Sequence, residues 1–160
     1  MSPASPTSTT GPDVPGRAVR VGVGAAALVS LGVHLWGLYR DHGPPTVPWF
    51  PQADKLEHLV GFGLPCFLVL LALHLRAAAA GRLPGTRAVA VVVGLFVVHA
   101  VVSEVVQGTL YTTRSGDPFD ALADTVGTGL GLGAYVLLRR RARSTTVRRS
   151  PTRQAAHGRT

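Results

Sequence analysis

Four long apolar stretches constrain the fold of this chain of 160 residues more than any other feature. A transmembrane helix needs about 20 mostly apolar residues, because the hydrocarbon core of a bilayer is about 30 Å thick. The four stretches cover residues 18–38, 56–75, 88–106 and 118–138. We therefore predict an all-α polytopic membrane protein with four transmembrane helices. A cleaved signal peptide is the alternative for the first stretch, but no cleavage site of small residues follows it.

The two ends of the chain differ in composition from the apolar stretches. Residues 1–16 are rich in Ser, Thr, Pro and Gly, and residues 139–160 are rich in arginine. The N-terminal segment holds too little apolar surface to offset the entropy lost on ordering. We predict a disordered N-terminal tail, a transmembrane domain over residues 17–138 and a basic, disordered C-terminal tail.

The basic residues indicate the orientation of the helices. A net charge of +8 could suit a nucleic acid, but these residues flank apolar stretches, so membrane phosphates are the expected partner. Cytoplasmic loops accumulate Lys and Arg. Two basic residues lie at the start of the first stretch, three separate the second from the third, and eight follow the fourth. We therefore predict that both termini are cytoplasmic and that the chain binds the lipid bilayer and no nucleic acid.

The acidic residues show the opposite distribution. Apart from Asp13, all of them fall at the predicted outer ends of the helices: Asp41, Asp54, Glu57, Glu104, Asp117, Asp120 and Asp124. Acidic residues contribute little to membrane topology, so this clustering needs another cause. Three polar groups carry it, at residues 54–58, 103–107 and 114–124. In the first group Asp54 and His58 are four residues apart, so we expect them to share a helix face.

Helix capping accounts for part of this pattern. Asp117 before Pro118 is typical of an N-cap followed by proline at the first helical position. Asp120, three residues after Asp117, completes a pair like a capping box. Asp54 and Glu57 can serve the second helix in the same way. For these four acidic residues, capping and a functional role both stay open.

Capping does not account for Glu104 or Asp124. Glu104 lies near the C-terminal end of the third helix, where the helix dipole disfavours an anion. Asp124 lies almost two turns inside the fourth helix, where a charged side chain costs on the order of 2.5–3.5 kcal/mol on insertion scales. We regard these two residues as the strongest functional candidates. The alternative is an internal ion pair with Lys55 and Arg114.

The fourth helix carries glycines on the face of Asp124. Gly127 and Gly131 form a G-x-x-x-G pair, which lets helices approach closely and predicts that Asp124 turns into the bundle. Gly129 and Gly133 offer a second glycine face. These faces also allow a homo-oligomer to form through the fourth helix.

Four further residues interrupt the apolar stretches singly. We interpret Cys66, the single cysteine, as a small buried hydrophobe, since one chain cannot build a disulfide or a cysteine metal site from it. His34, His74 and His99 are isolated in the sequence, and we interpret them as structural or interfacial.

The three polar groups form one pattern across consecutive helices. It reads Asp54-Lys55-x-x-His58-x-x-x-Phe62, then Glu104-x-x-Gln107, then Arg114, Asp117-x-x-Asp120 and Asp124-x-x-Gly127. Over about residues 20–138 this pattern resembles the VanZ-like family of small bacterial membrane proteins. The resemblance implies a multi-pass protein of the bacterial cytoplasmic membrane with a link to glycopeptide-antibiotic resistance. Many relatives look to have Asn at the position of Asp124. Because an Asn side chain cannot exchange a catalytic proton as a carboxyl group does, an obligatory acid–base role for Asp124 is disfavoured.

Our first hypothesis is a non-catalytic envelope protein with an outer polar pocket. The pocket would bind a cell-wall precursor, an anionic lipid or a partner protein, and so influence glycopeptide susceptibility. Lys55 and Arg114 would contact its phosphate or carboxylate groups. We expect the pocket to be formed by Asp54, Lys55, His58, Glu104, Gln107, Arg114, Asp117, Asp120 and Asp124.

The second hypothesis is an intramembrane enzyme that acts on a lipid-linked phosphate or wall intermediate. Glu104, His58 and Asp124 are the candidates for binding a divalent metal or for a general base, although no catalytic residue or particular metal is assigned. A third class, a proton-coupled transporter, usually has broken helices in repeated halves, and no internal repeat is visible in the sequence.

Overall fold

Four long helices make up the regular structure of the described chain. The computed structural model describes residues 16–40, 53–112 and 115–148, with side chains up to residue 141. The helices are α1 (Arg17–Tyr39), α2 (Ala53–Ala79), α3 (Thr86–Leu110) and α4 (Pro118–Arg148). Each is long and apolar enough to cross a membrane, and no strand occurs within these ranges. The predicted all-α fold with four membrane-spanning helices is thereby confirmed.

The predicted boundaries differ most at the end of α4. We predicted that the span ends at residue 138 and that a disordered tail follows, but α4 continues to Arg148. Arginine and alanine are good helix formers, and extending an existing helix needs no new nucleation, so the helix runs on beyond its apolar part. The predictions for residues 1–15, 41–52 and 149–160 lie outside the described residues.

The closest packing in the fold joins α2 to α4, which run in parallel. A Cβ atom at Gly63 would lie 2.8 Å from the carbonyl oxygen of Gly127, and one at Gly131 would collide with the carbonyl oxygen of Gly63. The three glycines therefore let the two backbones touch, as the G-x-x-x-G pair predicts. Gly129 and Gly133 have open space around them.

The core lies where α2 meets its neighbours. Phe62, Cys66 and Leu70 of α2 are fully buried and pack with Phe96 of α3 and Tyr135 of α4. Cys66 is a small buried hydrophobe, as its position in an apolar stretch predicted. Most of the remaining large apolar side chains are exposed at the outer surface of the bundle, which is what lipid-facing helices require.

Candidate functional site

The polar residues gather at one end of the bundle, which we call the acidic end. It is formed by the N-terminal ends of α2 and α4 and the C-terminal ends of α1 and α3. All six carboxylates of the described residues lie here: Asp54, Glu57, Glu104, Asp117, Asp120 and Asp124. The close contact of α2 with α4 fixes how their polar side chains meet.

Lys55 is the central cation of the acidic end. Its ammonium group lies 2.5 Å from Asp117 Oδ2 and 2.5 Å from Asp120 Oδ1, and 3.2 Å from Asp54 Oδ2. Hydrogen bonding to this ammonium holds the pKa of Asp117, which lies just before α4, below its ordinary value. Lys55 is therefore already surrounded by carboxylates, and a further anion approaching it would be repelled.

The start of α4 is capped by Asp117, as predicted, but the expected capping box does not form. The Asp117 carboxylate accepts the backbone N–H of Phe119 at 2.8 Å. In a capping box Asp120 would accept the backbone N–H of Asp117, whereas Glu104 Oε2 of α3 accepts it at 2.8 Å. Asp120 binds Lys55 instead, because the closely packed α2 brings that ammonium within reach.

This contact also explains why Glu104 can lie near the end of α3. The helix dipole there disfavours an anion, but the first N–H groups of a helix are donors without an intrahelical partner. The N–H of Asp117 faces Glu104 directly, and the backbone of Gly116 packs against the same turn of α3. Glycine is needed at position 116, since a Cβ atom would overlap the carbonyl oxygen of Glu104 at 2.6 Å.

His58, Glu104 and Asp124 form a compact group deeper in the bundle. His58 Nδ1 lies 3.0 Å from Asp124 Oδ1, and its Nε2 lies 3.7 Å from Asp120 Oδ2. His58, Glu104 and Asp124 each offer one ligand atom, and the three atoms lie within 4.8 Å of one another. Their exposed fractions are low, 0% for Asp124 and 7% for Glu104, so water screens the group little.

Two oxygen atoms of this group lack a hydrogen-bond partner. Glu104 Oε1 and Asp124 Oδ2 are both buried and accept no hydrogen bond from the described residues. Leaving a buried polar atom without a partner costs about 1–3 kcal/mol, and more when it is charged. One imidazole faces two buried carboxylates, so an additional cation or proton is needed to balance their charge. A nitrogen and carboxylate oxygens suit divalent Mn, Fe or Zn.

The structure changes several pairings expected from the sequence. The ion pair of Lys55 with Glu104 or Asp124 does not form, because Lys55 faces Asp54, Asp117 and Asp120. Asp124 pairs with His58 instead. Arg114, the other proposed cation, lies outside the described residues.

Two further pocket residues take positions other than those expected. Asp54 does not share the buried face with His58, since its side chain is 61% exposed. Lys55 and His58, three residues apart, are the pair that faces α4. Gln107 is buried but holds α1, because its side-chain amide donates to the carbonyl oxygen of Leu38 at 3.3 Å.

A histidine layer beneath the carboxylates was missed by the sequence interpretation. His34 of α1 and His99 of α3 are not isolated, because their ring centroids lie 5.3 Å apart. Each contacts the ring of Phe62, and the Nε2 atoms of both histidines are buried without a hydrogen-bond partner. Their separation in sequence gave no signal of this contact, which depends on how α1 and α3 meet across α2.

An apolar groove leads from the acidic end between α1 and α2. This acidic-end groove has a volume of about 530 Å³. Polar side chains line its mouth, namely Arg40, Glu57 and His58, and its length is lined mainly by apolar residues from Leu38 to Ala26 and from Val60 to Leu68. Since His58 belongs both to this groove and to the carboxylate group, a molecule lying in the groove would contact His58, whereas Glu104 and Asp124 are buried and do not line the groove.

Comparison with known proteins identifies no relative of this chain. No protein-family model matches it, and neither the curated proteins nor the solved structures include a match. The resemblance of the three polar groups to the VanZ-like pattern therefore rests on those residues alone.

Proposed function

We propose that this chain is a VanZ-like protein of the bacterial cytoplasmic membrane that binds a divalent cation through His58, Glu104 and Asp124. With both termini in the cytoplasm, the acidic end faces the outside of the cell. The bound cation would in turn hold the phosphate group of a lipid-linked wall intermediate. This function joins the cation site of our second hypothesis to the binding role of our first.

The observation that carries this proposal is the compact group of His58, Glu104 and Asp124, in which two buried carboxylate oxygens have no hydrogen-bond partner. Three ligand atoms lie within 4.8 Å of one another, and one buried oxygen each of Glu104 and Asp124 has no partner. A divalent cation would satisfy both oxygens and offset the excess negative charge. Helix capping explains neither oxygen, because both residues point into the bundle.

The surroundings of Lys55 explain why a cation is needed to hold phosphate. The first hypothesis assigned the anion contact to Lys55, but three carboxylates already lie within 3.2 Å of its ammonium. A phosphate at that position would meet net negative charge. A divalent cation held by His58, Glu104 and Asp124 would neutralise the two buried carboxylates and could bind a phosphate oxygen as a further ligand. The acidic-end groove provides apolar space for the lipid chain beside it.

Metal analysis of the purified full-length protein tests the cation site directly. We expect about one equivalent of divalent cation after titration with Mn²⁺ or Zn²⁺ and removal of the excess. Glu104→Gln and Asp124→Asn keep the shape of the side chains but remove a charged ligand, so each should weaken binding by at least about tenfold. Glu57→Gln is the matched control, since Glu57 lies on α2 at the groove mouth but outside the ligand group.

Two results would overturn the cation site. A protein that retains no stoichiometric metal, or variants of Glu104 and Asp124 that bind metal like the parent, would leave the two oxygens unexplained by a cation. The phosphate step has its own readout. A short-chain prenyl pyrophosphate should bind in the presence of Mn²⁺ and lose affinity when the metal is chelated, and equal affinity in both conditions would contradict the role of the cation.

Hydrolysis of a lipid-linked pyrophosphate is the second candidate function, and the contact of His58 with Asp124 favours it. At 3.0 Å, Asp124 can orient the imidazole as a carboxylate orients a general base. In this reaction a water oxygen bonds to the terminal phosphorus, the P–O bond of the anhydride breaks, and His58 takes the proton of the water. The prenyl monophosphate leaves with the bridging oxygen. Release of phosphate from the prenyl pyrophosphate that stops in His58→Gln would establish turnover, and binding without release would exclude it for that substrate.

An effect on glycopeptide susceptibility follows from the resemblance and is tested in a bacterial host. Where expression of the intact chain changes susceptibility, Glu104→Gln should abolish the change if the cation is needed. Glu57→Gln should retain it. A full effect from both variants would separate the resistance role from the cation site.

A further inference from the structure

A second groove lies between α1 and α2 at the opposite end of the bundle. We call it the arginine-end groove, and its volume is about 570 Å³. Three arginines line its mouth, Arg17 and Arg20 from α1 and Arg76 from α2. The rest of its wall is apolar or small: Val21, Gly24, Ala27, Leu28, Leu31, Val69, Ala72 and Leu73.

The charges of the described residues that line the mouth of this groove are all positive. Every carboxylate of the described residues lies at the acidic end, on the far side of the membrane-spanning length. The three arginines come from two helices, so they surround the mouth from both sides. A guanidinium group is suited to phosphate because its N–H groups bind two oxygens at once.

The length of the groove, from its arginine mouth to the end of its apolar wall, matches one leaflet of a bilayer. On α1 the lining residues run from Arg17 to Leu31, which at 1.5 Å per residue is about 21 Å. That distance is most of one leaflet's share of a bilayer about 40–45 Å thick including headgroups. Gly24 and Ala27 keep this wall open, since neither carries a large side chain. The groove thus combines a cationic mouth at headgroup depth with an apolar slot beneath it.

We propose that the arginine-end groove binds an anionic phospholipid, with its phosphate between Arg17, Arg20 and Arg76 and one acyl chain along the apolar wall. Basic pockets between membrane helices are suited to such headgroups. The phospholipid is a bound component of the structure, distinct from the wall intermediate proposed for the acidic end. The inference needs neither a metal nor the proposed function of His58, Glu104 and Asp124.

Native mass spectrometry of the detergent-solubilised full chain, titrated with phosphatidylglycerol or phosphatidylcholine, tests the charged mouth. We expect phosphatidylglycerol to bind with clear preference. Each arginine near an anionic headgroup is worth about fivefold in affinity, so replacing all three by Gln should weaken binding by about 100-fold. The matched control replaces Arg82 and Arg87, which lie at the same end of the bundle but outside the groove, and it should keep the preference.

A second pair of variants tests the apolar slot without changing any charge. Gly24 lines the groove and Gly22 does not, while a Cβ atom at either position meets open space. Gly24→Leu should therefore fill the slot and lower phosphatidylglycerol affinity by about tenfold, whereas Gly22→Leu should leave it unchanged. Both variants gain the same helix propensity, so their comparison isolates the groove.

Three outcomes would overturn the inference. Equal binding of the two phospholipids would show no recognition of the anionic headgroup. Equal losses in the groove variant and the Arg82 and Arg87 control would indicate general attraction to a basic surface. Displacement of the lipid by glycerol phosphate together with full affinity in Gly24→Leu would mean that the arginines bind a soluble phosphate only. Metal binding at the acidic end should be normal in every one of these variants, so either proposal can fail without the other.

Discussion

The acidic-end groove and the arginine-end groove are formed by the same two helices but differ in how their charges are compensated. At the acidic end, carboxylates from α2, α3 and α4 surround Lys55 and His58 within the bundle. At the arginine end, guanidinium groups line an open mouth and no described carboxylate lies near them. The first arrangement leaves buried negative charge that a cation or a proton must balance, whereas the second places positive charge at the mouth of a groove.

The comparison also shows what packing adds to composition. Both grooves have an apolar wall between α1 and α2, yet only the acidic end is supported by backbone contact, where Gly63 meets Gly127 and Gly131. That contact fixes the side chains of α2 against those of α4. The arginines need no comparable precision, because long side chains can reach a headgroup from several positions.

The largest expected effect comes from breaking the glycine contact that holds the acidic end. A Cβ atom at Gly127 would lie 2.9 Å from the carbonyl carbon of Leu59, and backbone cannot give way as a side chain can. Gly127→Leu should lower the free energy of unfolding by about 3 kcal/mol or more and abolish metal binding. Gly129→Leu, in open space on the same helix, is the control. Thermal unfolding in detergent measures the stability of both variants, and equal stability would refute the contact.

A smaller effect is expected from removing the cation shared by three aspartates. Lys55→Met leaves Asp54, Asp117 and Asp120 without their ammonium, which should cost about 1–3 kcal/mol because the group is only partly buried. Millimolar Ca²⁺ should restore part of this loss, since the three carboxylates then form an oxygen-rich cation site. Lys55→Arg should retain most of the stability. Unfolding curves with and without Ca²⁺ test this prediction. If Ca²⁺ did not raise the stability of Lys55→Met, the three carboxylates would not converge on one site.

The anchoring of α1 at the acidic end should contribute less. The Tyr111 hydroxyl donates to the carbonyl oxygen of Tyr39 at 2.7 Å, which joins α3 to the last residue of α1. Tyr111→Phe removes one hydrogen bond and should cost about 1 kcal/mol. Hydrogen exchange at residues 36–40 should become faster, while residues 17–21 at the arginine end stay unchanged. Equally faster hydrogen exchange at both ends of α1 would mean that the hydrogen bond of Tyr111 does not stabilise the acidic end specifically.

The smallest effect is expected at Asp117, and it depends on pH. Lys55 lowers the pKa of this carboxyl in the folded protein, so its contribution is complete above the ordinary Asp value of about 4 and disappears as the pH falls through the lowered value. Asp117→Asn keeps an oxygen for the helix cap but loses the charge. Its melting temperature should fall slightly below that of the parent at pH 7 and converge with it once the pH is below the lowered pKa of Asp117. A difference in melting temperature that became larger at acidic pH would contradict this prediction.

The helices could be predicted from the sequence because each apolar stretch carries its own signal. The extension of α4 to Arg148 could not be predicted, since an arginine-rich segment is compatible both with a disordered tail and with a continued helix. Glu104 and Asp124 stood out because their positions conflict with the helix dipole and with lipid. The partners of Glu104 and Asp124 could not be predicted, because the register of α2 against α4 decides whether Lys55 or His58 contacts Asp124.

The same limit applies to residues far apart in the chain. His34 and His99 meet across Phe62 through the packing of three helices, and no spacing within one helix encodes that contact. The two grooves likewise depend on gaps between side chains of α1 and α2. Sequence patterns identified which residues are unusual, whereas the arrangement of the helices determines what those residues contact.

The depth of Asp124 also has an electrical consequence. Asp124 lies six residues into α4, about 9 Å along the helix. In the orientation proposed above, a cation that reached it from outside would cross roughly a third of the voltage across a hydrocarbon core of about 30 Å. For a divalent ion this is worth about 1.4 kcal/mol per 100 mV. A cell that is negative inside would then hold the ion about tenfold more tightly than a depolarised one. The occupancy of the site would follow the energised state of the membrane.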